Sequence, residues 1–498
     1  MIKHGKISLN QITKGGKAMA YKMGESKRQQ YFLPAHLEDY VGAQDPVRIY
    51  DAFVDALNFS KLGIHMIPKK GAEQYSPKCM LKLLVYSYSY GIYSSRQIER
   101  ACHHNLSFKW LTGDQKPDYR TIARFRSQHK EALTKVLEQC VTMCVEMDLI
   151  DGMTLFTDGS KIRANASIGK TKTKETIKQD IEKIKEQVKA LIEESEKIDK
   201  LENNEESLVT AKKEINSKEQ LVEKMKEKLQ TLEEQGKTSI NTTDEDSVNA
   251  KFRQGSHSAY NTQISVDEKH GLIVAAEAVS QNTDYHQLSR QVERCAEVLG
   301  HKPKQVCADA GYSDSEDMSK IDEEVTAIVP SIKQTFQERN PEECKKPFDK
   351  DRFIYDKDQD QYVCPEGKRL NYQGIAFDDP QKLIYQAKAS DCRSCPHLGT
   401  CTTSKSGRKI IRLKFEDVKQ RQEQIYLKEE SQAIYKLRKQ KVELPFGHIK
   451  HNRRFNQFLL RGRDKVNAEV SLVTTGFNIT RMITIVGIVQ LMKALNGV

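Results

Sequence analysis

Three acidic residues stand where their side chains could converge on a cation. Asp158 follows the short apolar run Met153–Thr157, and Asp309 follows Gln305–Ala308. Each run reads as a β-strand that ends at its aspartate and opens into a small-residue turn, Asp158-Gly159-Ser160 in one case and Asp309-Ala310-Gly311 in the other. The carboxyl ends of adjacent strands bring two such side chains into one shallow site. Glu443, in a helix expected near 429–443, is the candidate for a third carboxylate, supplied from a helix packed beside the sheet. Hard divalent ions such as Mg²⁺ take oxygen ligands and keep several waters. Two such ions about 3.5–4 Å apart activate an attacking oxygen and relieve charge on the leaving one in a displacement at phosphorus. An acid at a strand end is by itself more often a turn or cap residue, so order and spacing together carry this reading.

The elements that must position these residues are legible as periodicities. Around Asp158 and Asp309 the pattern is strand-like: Tyr260–Val266 and Leu272–Ala278 flank a hairpin turn at Asp267–Gly271, a helix follows from Asp284 to Leu299, another covers Ser313–Glu323, and Thr326–Val329 is a further strand. Residues 76–145 read as helices. Ser76-Pro77 opens one with Met80, Leu83, Leu84 and Tyr88 at helical spacing; a second begins near Ser95; a third, capped by Asp118, runs Tyr119–His129 with Ile122 and Phe125 inward. Arg120, Arg124 and Arg126 on this last helix make it a candidate DNA reader of the helix-turn-helix kind, against the plainer reading of a bundle with a solvated basic face.

Two insertions interrupt the strand-rich part. Residues 170–235 are rich in Lys and Glu, with Ile177, Ile181, Ile184, Val188, Leu191 and Ile198 forming one apolar seam and Val222, Met225, Leu229 and Leu232 a second. A helical hairpin turning near Asn203-Asn204 is the first reading and a parallel dimeric coil the alternative. Residues 333–424 are polar and carry Cys364-Pro-Glu-Gly followed by Cys392, Cys395 and Cys401. These four thiols read as a structural Zn²⁺ site, with His397 a competing ligand, or as ordinary reduced cysteines. The domain scheme is therefore a helical unit over 1–145, an α/β catalytic unit from 146–168, 249–332 and 425–498, a coiled-coil insertion at 169–248 and a Cys-rich insertion at 333–424.

The 498 residues carry 80 Lys and Arg against 69 Asp and Glu, a net charge of +11. The excess is concentrated in the first 28 residues and in 405–463, which includes Arg438, Lys450, Arg453 and Arg454 beside His448 and His451. Such clusters favour phosphate backbones through counterion release, or serve solubility. No apolar leader is visible at the N-terminus, and Met482–Met492 is too short to span a bilayer, so a cytoplasmic protein without a membrane partner is expected. The eleven cysteines are then thiols or metal ligands rather than disulfides.

The segments Phe156–Ala166 (FTDGSKIRANA), Val306–Ser313 (VCADAGYS) and Val442–Lys450 (VELPFGHIK) resemble the three motifs of DDE-class insertion-sequence transposases. Tyr260-Asn261-Thr-Gln263, Arg461-Gly-Arg463, Asn478-Ile-Thr-Arg481 and the helix with Tyr119–Arg126 (YRTIARFR) are similar to the same group, in the same order from about residue 70 to 480. The resemblance implies a ribonuclease-H-like core with Asp158, Asp309 and Glu443 holding two Mg²⁺ or Mn²⁺ ions. It also implies recognition of terminal inverted repeats in double-stranded DNA, cleavage and strand transfer into target DNA, and a homodimer to synapse two ends. Lys450 stands where many relatives place a lysine that contacts end DNA. Relatives often carry Arg four residues before the glutamate; here that residue is Lys439, and Arg438 lies five before. Two alternatives stay open: a ribonuclease-H-fold nuclease without strand transfer, and an inactive, zinc-containing DNA-binding derivative.

Overall fold

A computed structural model describes residues 36–65, 74–199, 205–234, 236–341 and 347–497. The basic stretch of the first 28 residues and the turn expected at Asn203-Asn204 lie outside the described residues, as does the side chain of Ile198.

Eight helices open the described chain: α1 (Val47–Ala56), α2 (Phe59–Leu62), α3 (Pro77–Ser89), α4 (Ser95–His104), α5 (Leu106–Thr112), α6 (Tyr119–Gln128), α7 (Lys130–Thr134) and α8 (Val136–Glu146). Pro77 occupies the first turn of α3, where its missing N–H costs no hydrogen bond, though Ser76 makes no side-chain cap. Asp118 does cap α6, accepting from the backbone N–H of Arg120 (2.7 Å) and Thr121 (2.9 Å). Met80, Leu83, Leu84 and Tyr88 on α3 and Ile122 on α6 are buried, as their spacing predicts.

The chain then enters β1 (Thr154–Arg163), detours through β2 (Thr171–Thr173), α9 (Lys174–Asp199), α10 (Glu205–Glu234) and β3 (Ser239–Asn241), and returns in β4 (Val248–Phe252), β5 (Gly255–Asp267) and β6 (Ile273–Val279). Helices α9 and α10 run antiparallel: Lys174 pairs with Glu233 (2.5 Å), and Lys218 donates to Gln187 (2.9 Å). Ile177, Ile181, Val222, Met225 and Leu232 bury one another between them, and the β2–β3 ribbon closes their base.

Next come α11 (Leu288–Leu299), β7 (Gln305–Cys307), the short α12 (Ser315–Met318) and β8 (Thr326–Ile328). The main sheet is mixed. Strands β1 and β5 pair antiparallel over Leu155–Arg163, both β4 and β6 pair antiparallel with the other edge of β5, and β1, β7 and β8 run parallel. The apolar run had suggested that β1 ends at Asp158 and turns there; instead the strand continues to Arg163, because β5 supplies an antiparallel partner along its whole length. Only the parallel partner stops early, its last pair being Phe156 with Cys307. The helix expected over Ser313–Glu323 shrinks to one turn, Ser315–Met318, capped by Asp314 and preceded by a separate 3₁₀ turn, Ala310–Tyr312, capped by Asp309.

After α13 (Ile332–Arg339) the polar stretch that showed no regular pattern forms a five-stranded antiparallel sheet: β9 (Ile354–Asp356), β10 (Gln361–Val363), β11 (Arg369–Ala376), β12 (Asp379–Ala387) and, past α14 (Ala389–Arg393), β13 (Lys409–Leu413). Its small core of Phe353, Tyr362, Leu370, Tyr385 and Ile410 is separate from the main one. Helices α15 (Glu416–Leu427), α16 (Glu429–Gly447), α17 (Arg463–Val486) and α18 (Ile488–Gly497) complete the chain. Pro445 lies inside α16, where a proline ordinarily ends or kinks a helix, yet the helix passes through it to Gly447 and continues as a π-helical turn, His448–Asn452.

The core helix is α17, buried along most of its length against α3, α7, α8 and β6. Its side chains join the N-terminal helices and the main sheet into one continuous apolar cluster. At its heart Glu469, fully buried, accepts from the Tyr88 hydroxyl (2.7 Å) and from the backbone N–H of Leu459 and Leu460 (2.9 Å each). Arg126 donates to that same tyrosine oxygen (2.8 Å). Gly487, with φ +80°, separates α17 from α18 by a 114° bend. No single described helix is long and apolar enough to cross a membrane.

Candidate active site

The register of the parallel pair sets the geometry. Phe156 lies opposite Cys307, so Asp158 and Asp309 each stand two residues beyond that last pair, at the carboxyl ends of neighbouring parallel segments. Asp309 is held by its own loop: its Oδ1 accepts the Gly311 N–H (2.8 Å) and caps a short 3₁₀ turn, Ala310–Tyr312. Asp158 is three-quarters buried, and Arg438 of α16 reaches it at 3.8 Å. Burial pushes the Asp158 carboxyl up to about 7; Arg438 opposes this, while the nearby charges of Asp309 and Asp284 add to it.

Asp284, read from the sequence only as a helix start, is the residue that reasoning missed. Helix α11 begins four residues later, and Asp284 lies in the loop ahead of it. Its Oδ1 accepts from the side-chain amides of Asn261 (2.8 Å) and Gln263 (2.7 Å), both on β5. Gln263 sits opposite Gly159, and a Cβ on Gly159 would lie 2.2 Å from Asp284 Oδ1 and 2.4 Å from Gln263 Nε2. Glycine is thus required beside Asp158 by contact, since any side chain would displace the carboxylate. A Cβ on Gly311 would likewise meet Asp309 Oδ1 at 2.9 Å and Asp284 Oδ2 at 3.4 Å. Buried Tyr312 donates to Gln263 Oε1 and braces the same network from below. The signal for this in the sequence was the pair of glycines adjoining both aspartates; the partner they make room for lies over a hundred residues away along the chain from the first of them.

Glu443 does not join them. The inward positions of α16 are Arg438, Val442 and Phe446, whereas Glu443 lies one step round the helix, 63% exposed, and pairs with Lys439 at 3.9 Å. Among the described residues no three His, Cys, Asp or Glu side chains stand at the mutual spacing of a formed metal site.

The basic residues divide sharply. Arg120 and Arg124 are exposed on α6, and Arg454 is exposed after the π-helical turn. Arg126 and Arg453, expected to face DNA, are instead buried. Arg126 is spent on Tyr88 and the Tyr93 carbonyl (3.1 Å), and Arg453 on the carbonyls of Val473 (3.2 Å) and Gly476 (2.9 Å) and the Thr480 hydroxyl (2.7 Å). Lys450 turns toward β1, donating to the Ser160 hydroxyl and the Lys161 carbonyl (2.8 Å). Burial lowers its ammonium to about 8, against the attraction of Asp158.

In the second sheet Cys364, Cys392, Cys395 and Cys401 line a cavity of about 30 Å³ together with His397, Glu366 and Arg408. Backbone N–H groups point at two of the sulfurs, Lys368 at Cys364 and Arg408 at Cys392, both at 3.3 Å. Gly367, with φ +73°, makes the tight turn after Cys364.

Comparison with known families places two stretches of the chain. Residues 363–483 match a family described as a transposase DDE domain, and residues 35–128 match a second described as a transposase domain (DUF772). No curated protein and no solved structure matches. Both matches are to transposase domains, and together they support an insertion-sequence DDE transposase.

Proposed function

We propose that this transposase binds the terminal inverted repeats of its element as a homodimer, cuts the DNA there with divalent metal, and joins the freed 3′ ends to target DNA. The observation that carries the reading is the placement of Asp158 and Asp309 side by side past the last pair of two parallel strands, with three antiparallel strands completing the sheet on the other side. That strand order supports a ribonuclease-H-like core. The donor set suits Mg²⁺ or Mn²⁺: hard carboxylate oxygens beside two glycines that leave room no side chain could share. Asp158, Asp309 and Glu443 would hold the ions, Glu443 from a position that is exposed and paired with Lys439 in the DNA-free chain. The chemistry that ions held there would supply is activation of the attacking water or 3′-hydroxyl and charge relief on the leaving oxygen. Arg438 holds the Asp158 carboxylate in place, and Lys450 offsets negative charge beside it. Arg120, Arg124 and Arg454 are exposed and able to meet phosphates.

The test is cleavage of a duplex bearing the element's terminal repeat, with Mg²⁺ or Mn²⁺. End-specific nicking that disappears with EDTA and in Glu443→Gln, while DNA binding persists, is the expected result. Binding without cleavage by the wild-type protein under either metal would reject the catalytic reading in favour of a DNA-binding derivative. Cleavage without joining would leave a nuclease.

The four cysteines of the second sheet are proposed to hold one structural Zn²⁺ that ties the turn after β10 to α14. Their cavity is about the volume of one small ligand, and the N–H···S contacts suit thiolates. Protein purified under reducing conditions should carry one zinc per chain by elemental analysis, and the double variant Cys392→Ser/Cys395→Ser should carry none. A metal-free wild type that melts like the variant would remove the zinc assignment.

A further inference from the structure

Within the metal site read above, the carboxylate lying beside Asp158 and Asp309 is not Glu443 but Asp284. Two neutral amides, Asn261 Nδ2 and Gln263 Nε2, grip its Oδ1. Amides fix the orientation of a carboxylate without cancelling its charge, as an arginine or lysine would. The other oxygen, Oδ2, faces the Asp309 loop, 3.4 Å from where a Gly311 Cβ would stand. The grip is itself built: Gln263 is braced by Tyr312, and Gly159 is bare where Asp284 crosses it. Asp284 and Asp309 thus both approach the Gly311 position and both act electrostatically on Asp158, without standing at the spacing of a closed metal site, and Arg438 approaches from α16, at 3.8 Å from Asp158. Such an arrangement is electrostatically costly unless a cation sits among them.

We propose that Asp284 is a metal-holding carboxylate of this active site, engaging the first divalent ion together with Asp158 and Asp309 before DNA arrives. The inference rests on the reading of Asp158 and Asp309 as metal ligands. It separates two roles that the sequence assigned to one triad: Asp284 serves ion capture in the free enzyme, and Glu443 serves the DNA-bound state.

The test is Mn²⁺ binding to the full-length, DNA-free protein, followed by calorimetry and by the Mn²⁺ paramagnetic resonance signal. Asp284→Asn is the informative change, because the asparagine carbonyl oxygen still accepts from Asn261 and Gln263 while the charge is gone. A purely structural Asp284 would tolerate it. Expected are Mn²⁺ binding by the wild type, a loss of about tenfold or more in affinity for Asp284→Asn, and partial recovery in Asp284→Glu. If Asp158→Asn abolishes binding while Asp284→Asn binds like wild type with an unchanged melting temperature, the assignment of Asp284 is overturned and the metal site stands. If wild type binds no Mn²⁺, or Asp158→Asn binds equally well, the metal-site reading falls and this inference with it. If Asp284→Asn loses packing by near-ultraviolet dichroism, Gln263→Ala, which removes one amide donor to Asp284 and leaves its charge in place, decides: retained Mn²⁺ binding supports the ligand role, and a loss equal to that of Asp284→Asn overturns it.

Discussion

Replacing Asp158 by asparagine should reduce end cleavage at least about a thousandfold, equivalent to roughly 4 kcal/mol of lost transition-state stabilisation, while making the metal-free protein more stable at pH 8. The two effects share one cause. The carboxyl is buried, near Asp309 and Asp284, and its value in the folded protein is about 7 against an ordinary 3.8. For an acid raised in this way, the stabilisation it brings is fully present below about pH 4. It is lost as pH rises through about 7, because the folded state must then carry a charge it solvates poorly. Every tenfold weakening of the acid on folding corresponds to about 1.4 kcal/mol, and water at the open edge of the site reduces the sum, so a gain of about 2 kcal/mol is expected for Asp158→Asn at pH 8 and little at pH 4. Mg²⁺ should raise the melting temperature of the wild type and leave the variant unmoved. Thermal melts at the two pH values, with and without Mg²⁺, check both signs. A variant that melts lower than wild type at pH 8 without metal would show that the carboxylate is not under electrostatic stress.

The largest effect on folding should come from Glu469→Ala, far from the carboxylates. Its removal leaves the Arg126 guanidinium, 6% exposed, without its acid at 3.9 Å, and strips the acceptor from the N–H groups of Leu459 and Leu460. Breaking a buried pair from one side costs about 3–5 kcal/mol, since the remaining charge stays desolvated. Because α17 is shared between the N-terminal helices and the main sheet, unfolding in urea should move to lower denaturant and separate into two transitions. The double change Glu469→Gln/Arg126→Met should cost less than Glu469→Ala alone. A loss below about 1 kcal/mol in the single variant would mean that water reaches Arg126 and the network is not closed.

These two sites show unequally how the chain could be read. Asp158 and Asp309 were legible because a strand announces itself locally, by a short apolar run with a turn signal at its end, and because their small-residue neighbours accompany them. The run did not reveal that β1 continues past Asp158, since that depends on β5, a partner a hundred residues later. The helices α3 and α6 were legible from the spacing of Met80, Leu83, Leu84 and Tyr88 and of Ile122 and Phe125. The five-stranded sheet over 354–413 was not, because much of it faces solvent on both sides and leaves only a thin core to pattern.

The arginines mark the boundary most clearly. By sequence alone Arg120, Arg124 and Arg126 are three basic residues on one helix, and Arg453 and Arg454 are two in a row. Tertiary structure gives two of them internal partners, Tyr88 and Glu469 for Arg126 and the carbonyls of α17 for Arg453, and leaves the others in water. The sequence by itself determined which residue types are present, their local periodicity, and hence the helices, the strands bearing Asp158 and Asp309, and the charge available for phosphates. Only the tertiary structure decided which charges are exposed, that Asp284 rather than Glu443 adjoins the two aspartates, and that the helical unit and the main sheet share one core. The reason is physical: periodicity is written by neighbours within a few residues, whereas desolvation and charge pairing are set by whatever the fold brings close, such as Glu469 to Tyr88 across 381 positions of the chain.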